Sequence, residues 1–275
     1  KVCLITGASG GIGREIARLF HEEGALLVLQ GNTQFAGLED FVAEIGAGDR
    51  SLCLQYDVSD RQANFDAARQ GAERFGRLDV CVANAGKWPV PDVSFEEMTE
   101  ERLRATLDAN LFGAAFTAQA FMAELARSGP RDDQDGASLV FTGSTAARFG
   151  ERFHADYSIS KAAMYGMVRS LKNEITRIDP YARVNVVEPG WTKTHMARPA
   201  LQVDEIVTKV VKTLAVRQIA RAADIARTVA FLASPALSRH ISGEALTVAG
   251  GMEGRVLWDD HEVDVEEVRD RLERE

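Results

Sequence analysis

Apolar residues along this chain fall into two alternating patterns. Short runs at residues 2–6, 26–30, 52–56, 78–83, 138–142, 183–187 and 245–248 have strand length and are apolar at nearly successive positions. Between them lie longer segments whose apolar positions recur every three or four residues, which predicts helices over 11–23, 34–45, 60–75, 100–127, 157–178 and 223–233. Strands apolar on both faces, each followed by a helix, are the pattern of a parallel sheet with helices packed on both sides. The expected fold class is therefore α/β, a doubly wound parallel sheet of about seven strands. Ser59, with Gln62 three residues on, predicts a capping box at the start of the third helix.

No repeat or low-complexity linker divides the chain, and the polar stretch 128–136 reads as a surface turn. One domain over residues 1–254 is expected. Residues 191–217 form an extra excursion between the sixth strand and the last helix of the alternation, the kind of insertion that covers a site, and they are expected to act as a lid. Residues 255–275 form an acidic tail in which Val263, Val265 and Val268 stand among carboxylates. Two readings of it stand open: weak packing on the body or on a neighbouring subunit, and a solvated, partly disordered segment.

Charge narrows the partners. The 275 residues carry 32 basic and 41 acidic side chains, a net charge of -9, so the basic surface that drives phosphate-backbone binding is missing and nucleic acid is excluded as a partner. Residues 259–275 hold nine of those acids against three arginines, which leaves the body nearly neutral. Cys3, Cys53 and Cys81 each lie inside or beside an apolar run and no Cys-x-x-Cys pair occurs, so no metal site is expected and a reducing, cytoplasmic setting is. No apolar run approaches the ~18 residues of a membrane span, so no membrane partner is expected. The numbering opens at Lys1 inside an apparent strand, which leaves open a leader removed upstream.

The first strand runs into Thr6-Gly7-Ala8-Ser9-Gly10-Gly11-Ile12-Gly13 and then directly into an amphipathic helix. Glycines at 7, 11 and 13 permit a tight turn and bring backbone amides against a pyrophosphate, whose charge the helix N-terminus favours; Ser9 and Ile12 belong to the same cradle. A strand, this turn and a helix together point to a Rossmann-like site for NAD(P)(H). The second strand ends at Gln30-Gly31-Asn32-Thr33, without the carboxylate that would hold the ribose diol of NAD and repel a 2′-phosphate. Gly31 leaves room there and Asn32 and Thr33 are donors, yet no Lys or Arg occupies the turn. The missing carboxylate removes the main barrier to a 2′-phosphate and the missing cation removes the main attraction, so the reading leans to NADP(H) and leaves the choice between NAD(H) and NADP(H) open.

Each remaining unusual motif also follows directly on a predicted strand: Asp57-Val58 on the third, Asn84-Ala85-Gly86 on the fourth, Gly143-Ser144 on the fifth, Pro189-Gly190 on the sixth. In an open parallel sheet the carboxyl ends of the strands form the ligand crevice, so all of these fall on one edge. Tyr157 and Lys161, four apart at the start of a helix, share a face about one turn apart. Bringing a phenol from a pKa of ~10 to ~7 takes about 4 kcal/mol. A cation at ~4 Å in an effective dielectric near 20 supplies roughly that amount. Lys161 is therefore expected to make Tyr157 a usable proton donor or acceptor near neutral pH.

With these motifs in hand, the chain resembles the short-chain dehydrogenase/reductase family from Val2 to Gly251: TGASGGIG at 6–13, DV at 57–58, NAG at 84–86, Asn110 in the long helix, Ser144, YSISK at 157–161 and PGWTKT at 189–194. The resemblance implies that Ser144 orients the substrate oxygen, Tyr157 passes the proton, Lys161 tunes Tyr157 and holds the nicotinamide ribose, and Asn110 maintains a water relay behind Lys161. It further implies that Asp57 and Val58 flank the adenine, that Asn84 and Gly86 line the adenosine side, and that Thr192 and Thr194, beyond Pro189 and Gly190, approach the carboxamide and diphosphate. Members commonly assemble as tetramers through the helices that here carry Asn110 and Met164, which implies a homo-oligomer, tetramer or dimer. Ala83 and Gly10 depart from the family pattern, Gly10 standing where many NADP-dependent members carry a base.

The expected function is hydride transfer between a nicotinamide cofactor and a small secondary alcohol or ketone, with Tyr157 as general acid/base. The alternative is a catalytically silent dinucleotide-binding sensor, against which the intact Ser144, Asn110, Tyr157 and Lys161 argue. A serine hydrolase is excluded because Thr142-Gly143-Ser144-Thr145-Ala146 lacks the Gly-x-Ser-x-Gly elbow.

Overall fold

Successive residues of the first strand go to opposite sides of the sheet, and both sides are dry. Val2 and Leu4 join one core with Ala68, Phe121 and Met164, while Cys3 and Ile5 join another with Ile16, Phe41 and Val229. This two-sided burial is why the strands read as near-continuous apolar runs. The computed structural model describes residues 1–274.

In chain order the elements are β1 (Val2–Ile5), α1 (Gly11–Glu22), β2 (Leu26–Gly31), α2 (Phe35–Glu44), β3 (Ser51–Gln55), α3 (Arg61–Phe75), β4 (Val80–Ala83), α4 (Glu100–Leu107), α5 (Gly113–Ser128), β5 (Ser138–Thr142), α6 (Ala146–Phe149), α7 (Ala155–Ile175), β6 (Arg183–Pro189), β7 (Thr192–Lys193), α8 (Arg198–Leu201), α9 (Asp204–Val211), β8 (Ala220–Arg221), α10 (Ala222–Ala233), α11 (Pro235–Ser238), β9 (Ala245–Val248) and α12 (Val265–Glu273). Seven strands form one parallel sheet in the order β3-β2-β1-β4-β5-β6-β9, flanked by α3, α5 and α7 on one face and α1, α2 and α10 on the other. Strand order reverses between β1 and β4, which opens a crevice outside their carboxyl ends. The expected Rossmann-like sheet is the one observed.

Three local expectations change. The cap of α3 is Asp60, whose carboxylate accepts from the Ala63 amide, because Ser59 is already committed to the Asp57 carboxylate. The helix expected over 100–127 is interrupted by one π turn at Asp108–Phe112. Such a turn inserts one residue into the helical repeat, and here it buries Asn110 against the site. Helix α7 starts at Ala155, two residues earlier than expected, with the backbone of His154 as its cap.

The excursion after β6 holds the short β7–β8 ladder and the helices α8 and α9, and the end of the chain packs on it. Val268 and Leu272 of α12 are buried with Leu201, Val207, Val210, Val211 and Leu214, a third apolar cluster separate from the two faces of the sheet. The described part of the tail is thus folded onto the excursion, which overturns the reading of a solvated, partly disordered segment. Its valines alternate with acids because one face of α12 is buried and the other is wet. No helix among the described residues is long and apolar enough to cross a membrane.

Candidate active site

At the end of β1 the backbone turns at Gly7 with φ of +66°, where a Cβ would stand 2.8 Å from the Cα of Ala85. At Gly13 a Cβ would lie 2.2 Å from the carbonyl oxygen of Gly7. Only glycine fits either position. The turn is held from beneath by Gln30, buried at the end of β2: its Oε1 accepts from the Gly7 amide at 2.8 Å and its Nε2 donates to the Tyr56 carbonyl at 2.6 Å. Sequence reasoning missed Gln30, although a polar residue ending an otherwise apolar strand was the available signal. Helix α1 starts just beyond, capped by Gly10 with no side chain on its end and no acid in its first turn. That leaves the positive end of its dipole facing the crevice. Ser9 lies beside Gly31, where a Cβ would come within 3.5 Å of its hydroxyl, and Ile12 packs into the adjacent core. Thr194 of the excursion rests on Gly11, where a Cβ would stand 3.2 Å from it.

Several residues expected to meet a cofactor are partly committed to protein. Asn32 donates to the Asp57 carboxylate at 3.2 Å, and the other oxygen of Asp57 accepts from the amide and hydroxyl of Ser59, which holds the carboxyl below its usual range. Val58 is buried, its side chain packed so closely on α5 that a Cβ at Gly113 would stand 2.6 Å from it. Asn84 donates to the carbonyls of Thr6 and Gly7 and accepts from the Thr142 hydroxyl, so it ties β1, β4 and β5 together. Gly86 stands closer to the chemical end than expected: a Cβ there would be 3.2 Å from Asn110 Oδ1 and 3.3 Å from Lys161 Nζ. The amide of Gly190 donates to Val248, and Pro189 accepts from Thr145. Thr192 donates to the Gly190 carbonyl, so these three hydrogen bonds fix where the excursion leaves the sheet.

The four residues expected to do chemistry converge. Lys161 is buried and its ammonium donates to the Thr142 carbonyl at 2.9 Å, 5.8 Å from the centre of the Tyr157 ring. Burial pulls Lys161 down to about 8. Burial also pushes Tyr157 up; the neighbouring Ser144 hydroxyl works downward, and the charge of Glu151 upward. In the protein alone the net direction is upward, opposite to the expectation built on Lys161, because desolvation outweighs any attraction to an ammonium that faces a carbonyl. Asn110 accepts from the Lys87 amide at 2.7 Å and donates to the Lys87 carbonyl and to Ser160, so it fixes the loop after β4 against α7.

The start of α7 is anchored by groups that sequence reasoning also missed. Asp156 is fully buried; one oxygen accepts from the Tyr157 amide at 2.9 Å and the other from Arg102 and Thr106 of α4 at 3.0 and 2.9 Å. The glycine turn, the bare helix end and a buried ammonium with one protein acceptor fit an anionic dinucleotide that carries a ribose diol.

A family model described as Enoyl-(Acyl carrier protein) reductase matches residues 7–253. The chain belongs to the short-chain dehydrogenase/reductase family. It is 31% identical to an L-rhamnose 1-dehydrogenase (NAD(P)(+)) of a Sphingomonas strain, over 92% of this chain and 96% of that one. It is also 31% identical to a cis-4-hydroxycyclohexanecarboxylate dehydrogenase of Sinomonas cyclohexanicum, over 91% and 96%. The crystal structure of a short-chain dehydrogenase/reductase titled glucose/ribitol dehydrogenase, from Brucella melitensis, superimposes with a TM-score of 0.82 at 32% identity, covering 92% of this chain and 96% of that one. This short-chain dehydrogenase/reductase is thus an NAD(P)-dependent oxidoreductase.

Proposed function

We propose that the enzyme interconverts a small secondary alcohol and its ketone, with Tyr157 as the general acid/base. The observation that carries this reading is the convergence of Tyr157, Ser144 and Lys161 at the carboxyl edge of the sheet, beside a glycine turn shaped for a dinucleotide. A bound nicotinamide supplies or accepts the hydride. Ser144 holds the substrate oxygen through its hydroxyl. Tyr157 gives its phenolic proton to that oxygen during reduction and takes it back during oxidation. Lys161, tethered to Thr142, would hold the nicotinamide ribose with its remaining N–H groups, and Asn110 keeps the Lys87 loop in place. The two dehydrogenases named above act on a sugar and on a hydroxylated ring acid, which supports an alcohol or ketone as the substrate class here.

For the cofactor we favour NADP(H). No acid follows β2, and Arg14 brings the cation that residues 31–34 lack: its guanidinium donates to the carbonyls of Ser9 and Gly37, at the mouth of that turn. Ser9, Ile12, Asn32, Asp57, Val58, Asn84, Gly86 and the residues from Pro189 to Thr194 line the cofactor's path in this reading, several of them through backbone. We also favour a homo-oligomer in a reducing, cytoplasmic setting, since Phe112 of the π turn and Ile159 of α7 stay exposed and the three cysteines are free.

The test is a panel of ketones and secondary alcohols followed at 340 nm with NADPH and NADH. Tyr157→Phe is expected to abolish turnover and leave cofactor binding intact. Unchanged turnover in that variant removes Tyr157 from the mechanism, and tight cofactor binding with no turnover of any compound by the wild type favours a sensor instead.

A further inference from the structure

The phenol that the reaction depends on is flanked by an aromatic stack that none of the motifs above contains. Trp88, on the loop after β4, meets Tyr157 edge to face, with ring centres 4.8 Å apart and planes inclined at 64°. The same indole is stacked on His154, at 4.0 Å and 25°. His154 is buried, and both of its ring nitrogens lie against backbone carbonyls, Nε2 at 3.0 Å from Pro89 and Nδ1 at 3.2 Å from Arg152. With its single proton on Nε2, the imidazole donates to Pro89 and so joins the loop that carries Trp88 to the loop that leads into α7. The same two loops are tied by the Val93 amide on the Phe153 carbonyl and by Arg102, which donates to the carbonyls of Pro91 and Phe153. His154 is also the backbone cap of α7, so it fixes the first turn of the helix that bears Tyr157 and the indole that bears on its ring.

A tyrosine ring turns about two side-chain bonds, and a misplacement of about 1 Å at a reacting group can cost on the order of 100-fold in rate. Asp156 fixes the backbone of Tyr157 but leaves its ring free to turn. We propose that Trp88 and His154 are positioning residues that hold the Tyr157 phenol at its working angle, with His154 acting as the rivet that keeps Trp88 in place. The proposal rests on the role of Tyr157 given above.

Two measurements test it, one of which needs no substrate. The near-ultraviolet circular dichroism of the full-length enzyme minus that of Trp88→Phe isolates the band of an ordered Trp88. That band is expected to fall by more than half in His154→Ala; an intact band overturns the rivet. With the best ketone of the panel, Trp88→Ala and His154→Ala are expected to lower kcat about 10-fold while the NADPH dissociation constant moves less than 2-fold, and Trp88→Phe to recover kcat to within about 3-fold of wild type. Trp88→Ala also admits water beside the phenol, and burial is the main cause of its raised pKa, so the acid limb of alcohol oxidation, along which the rate rises as the phenol deprotonates, shifts to lower pH. Unchanged kcat and an unshifted limb in Trp88→Ala overturn the proposal, and this variant decides if His154→Ala does not fold. A Tyr157→Phe enzyme that still turns over refutes the acid/base reading instead, while the dichroism band continues to report on the stack.

Discussion

The C-terminal segment offers a case where two kinds of contact make opposite predictions. Residues 257–274 hold the excursion through ion pairs, Lys193–Glu273 at 2.6 Å, Lys212–Asp260 at 2.5 Å and Arg269–Asp204 at 2.5 Å, and through the buried side chains of Val268 and Leu272. The carboxylates of the three pairs are 74%, 83% and 70% exposed, so water and salt screen them and their net contribution is small. The two aliphatic side chains are 3% and 9% exposed, and burying each contributes roughly 2 kcal/mol, about 4 kcal/mol together before the entropy of ordering α12. Apolar burial therefore decides whether the segment stays attached. With about nine residues, α12 does not hold its own helix in water once that anchor is lost.

Val268→Asp removes the anchor and turns about half of the apolar term against attachment, which at ~1.4 kcal/mol per decade shifts the equilibrium by more than tenfold toward release. Trypsin is expected to cut the variant at Arg269 and Arg271 at a protein concentration and time that leave the wild type whole, and the amides of α9 to exchange faster with deuterium. The wild type is expected to stay protected in 0.5 M NaCl, and Glu273→Gln to behave as wild type. Release of the segment by salt alone, or continued protection in Val268→Asp, refutes the ranking of the two contacts.

Three further outcomes follow from the site. Lys161 carries a folded-state pKa of about 8 against ~10.4 unfolded, so between these values the unfolded chain binds more protons and stability from this group rises with pH. Ligand-free wild type is expected to gain on the order of 3 kcal/mol relative to Lys161→Met between pH 8 and 10.5 in urea melts, and parallel curves contradict the burial of a charged ammonium. Gln30→Leu strands the Gly7 amide and the Tyr56 carbonyl, which is expected to destabilise the protein by about 2 kcal/mol and to weaken dinucleotide binding in a titration of intrinsic fluorescence. Arg14→Gln is expected to reduce the thermal shift with NADPH more than that with NADH; equal reductions remove Arg14 from 2′-phosphate selection.

What the chain disclosed before folding was what depends on periodicity and on glycine. β1, β4 and β5 announced themselves because both of their faces are dry, and the turn at Gly7–Gly13 because no larger residue fits its contacts. The tail escaped because one stripe of Val268 and Leu272 among nine acids looks alike whether it is solvated or docked, and only the complementary cluster on α9 decides between the two. The stack of Trp88 and His154 escaped for a different reason: its members come from loops separated by 66 positions, and neither loop has a period to read.

The same distinction explains the division of labour at the site. Backbone amides at the glycine turn, a helix end and a buried ammonium are groups suited to any dinucleotide, and their geometry follows from short local spacings that a sequence records directly. The angle of the Tyr157 ring is different, because α7 specifies only where its Cα sits. That angle has to come from neighbours brought in by tertiary structure, here an indole on one loop and an imidazole on another. The residues proposed to bind are therefore legible in this chain at the level of motifs, whereas those proposed to aim become visible only once the two loops are set side by side.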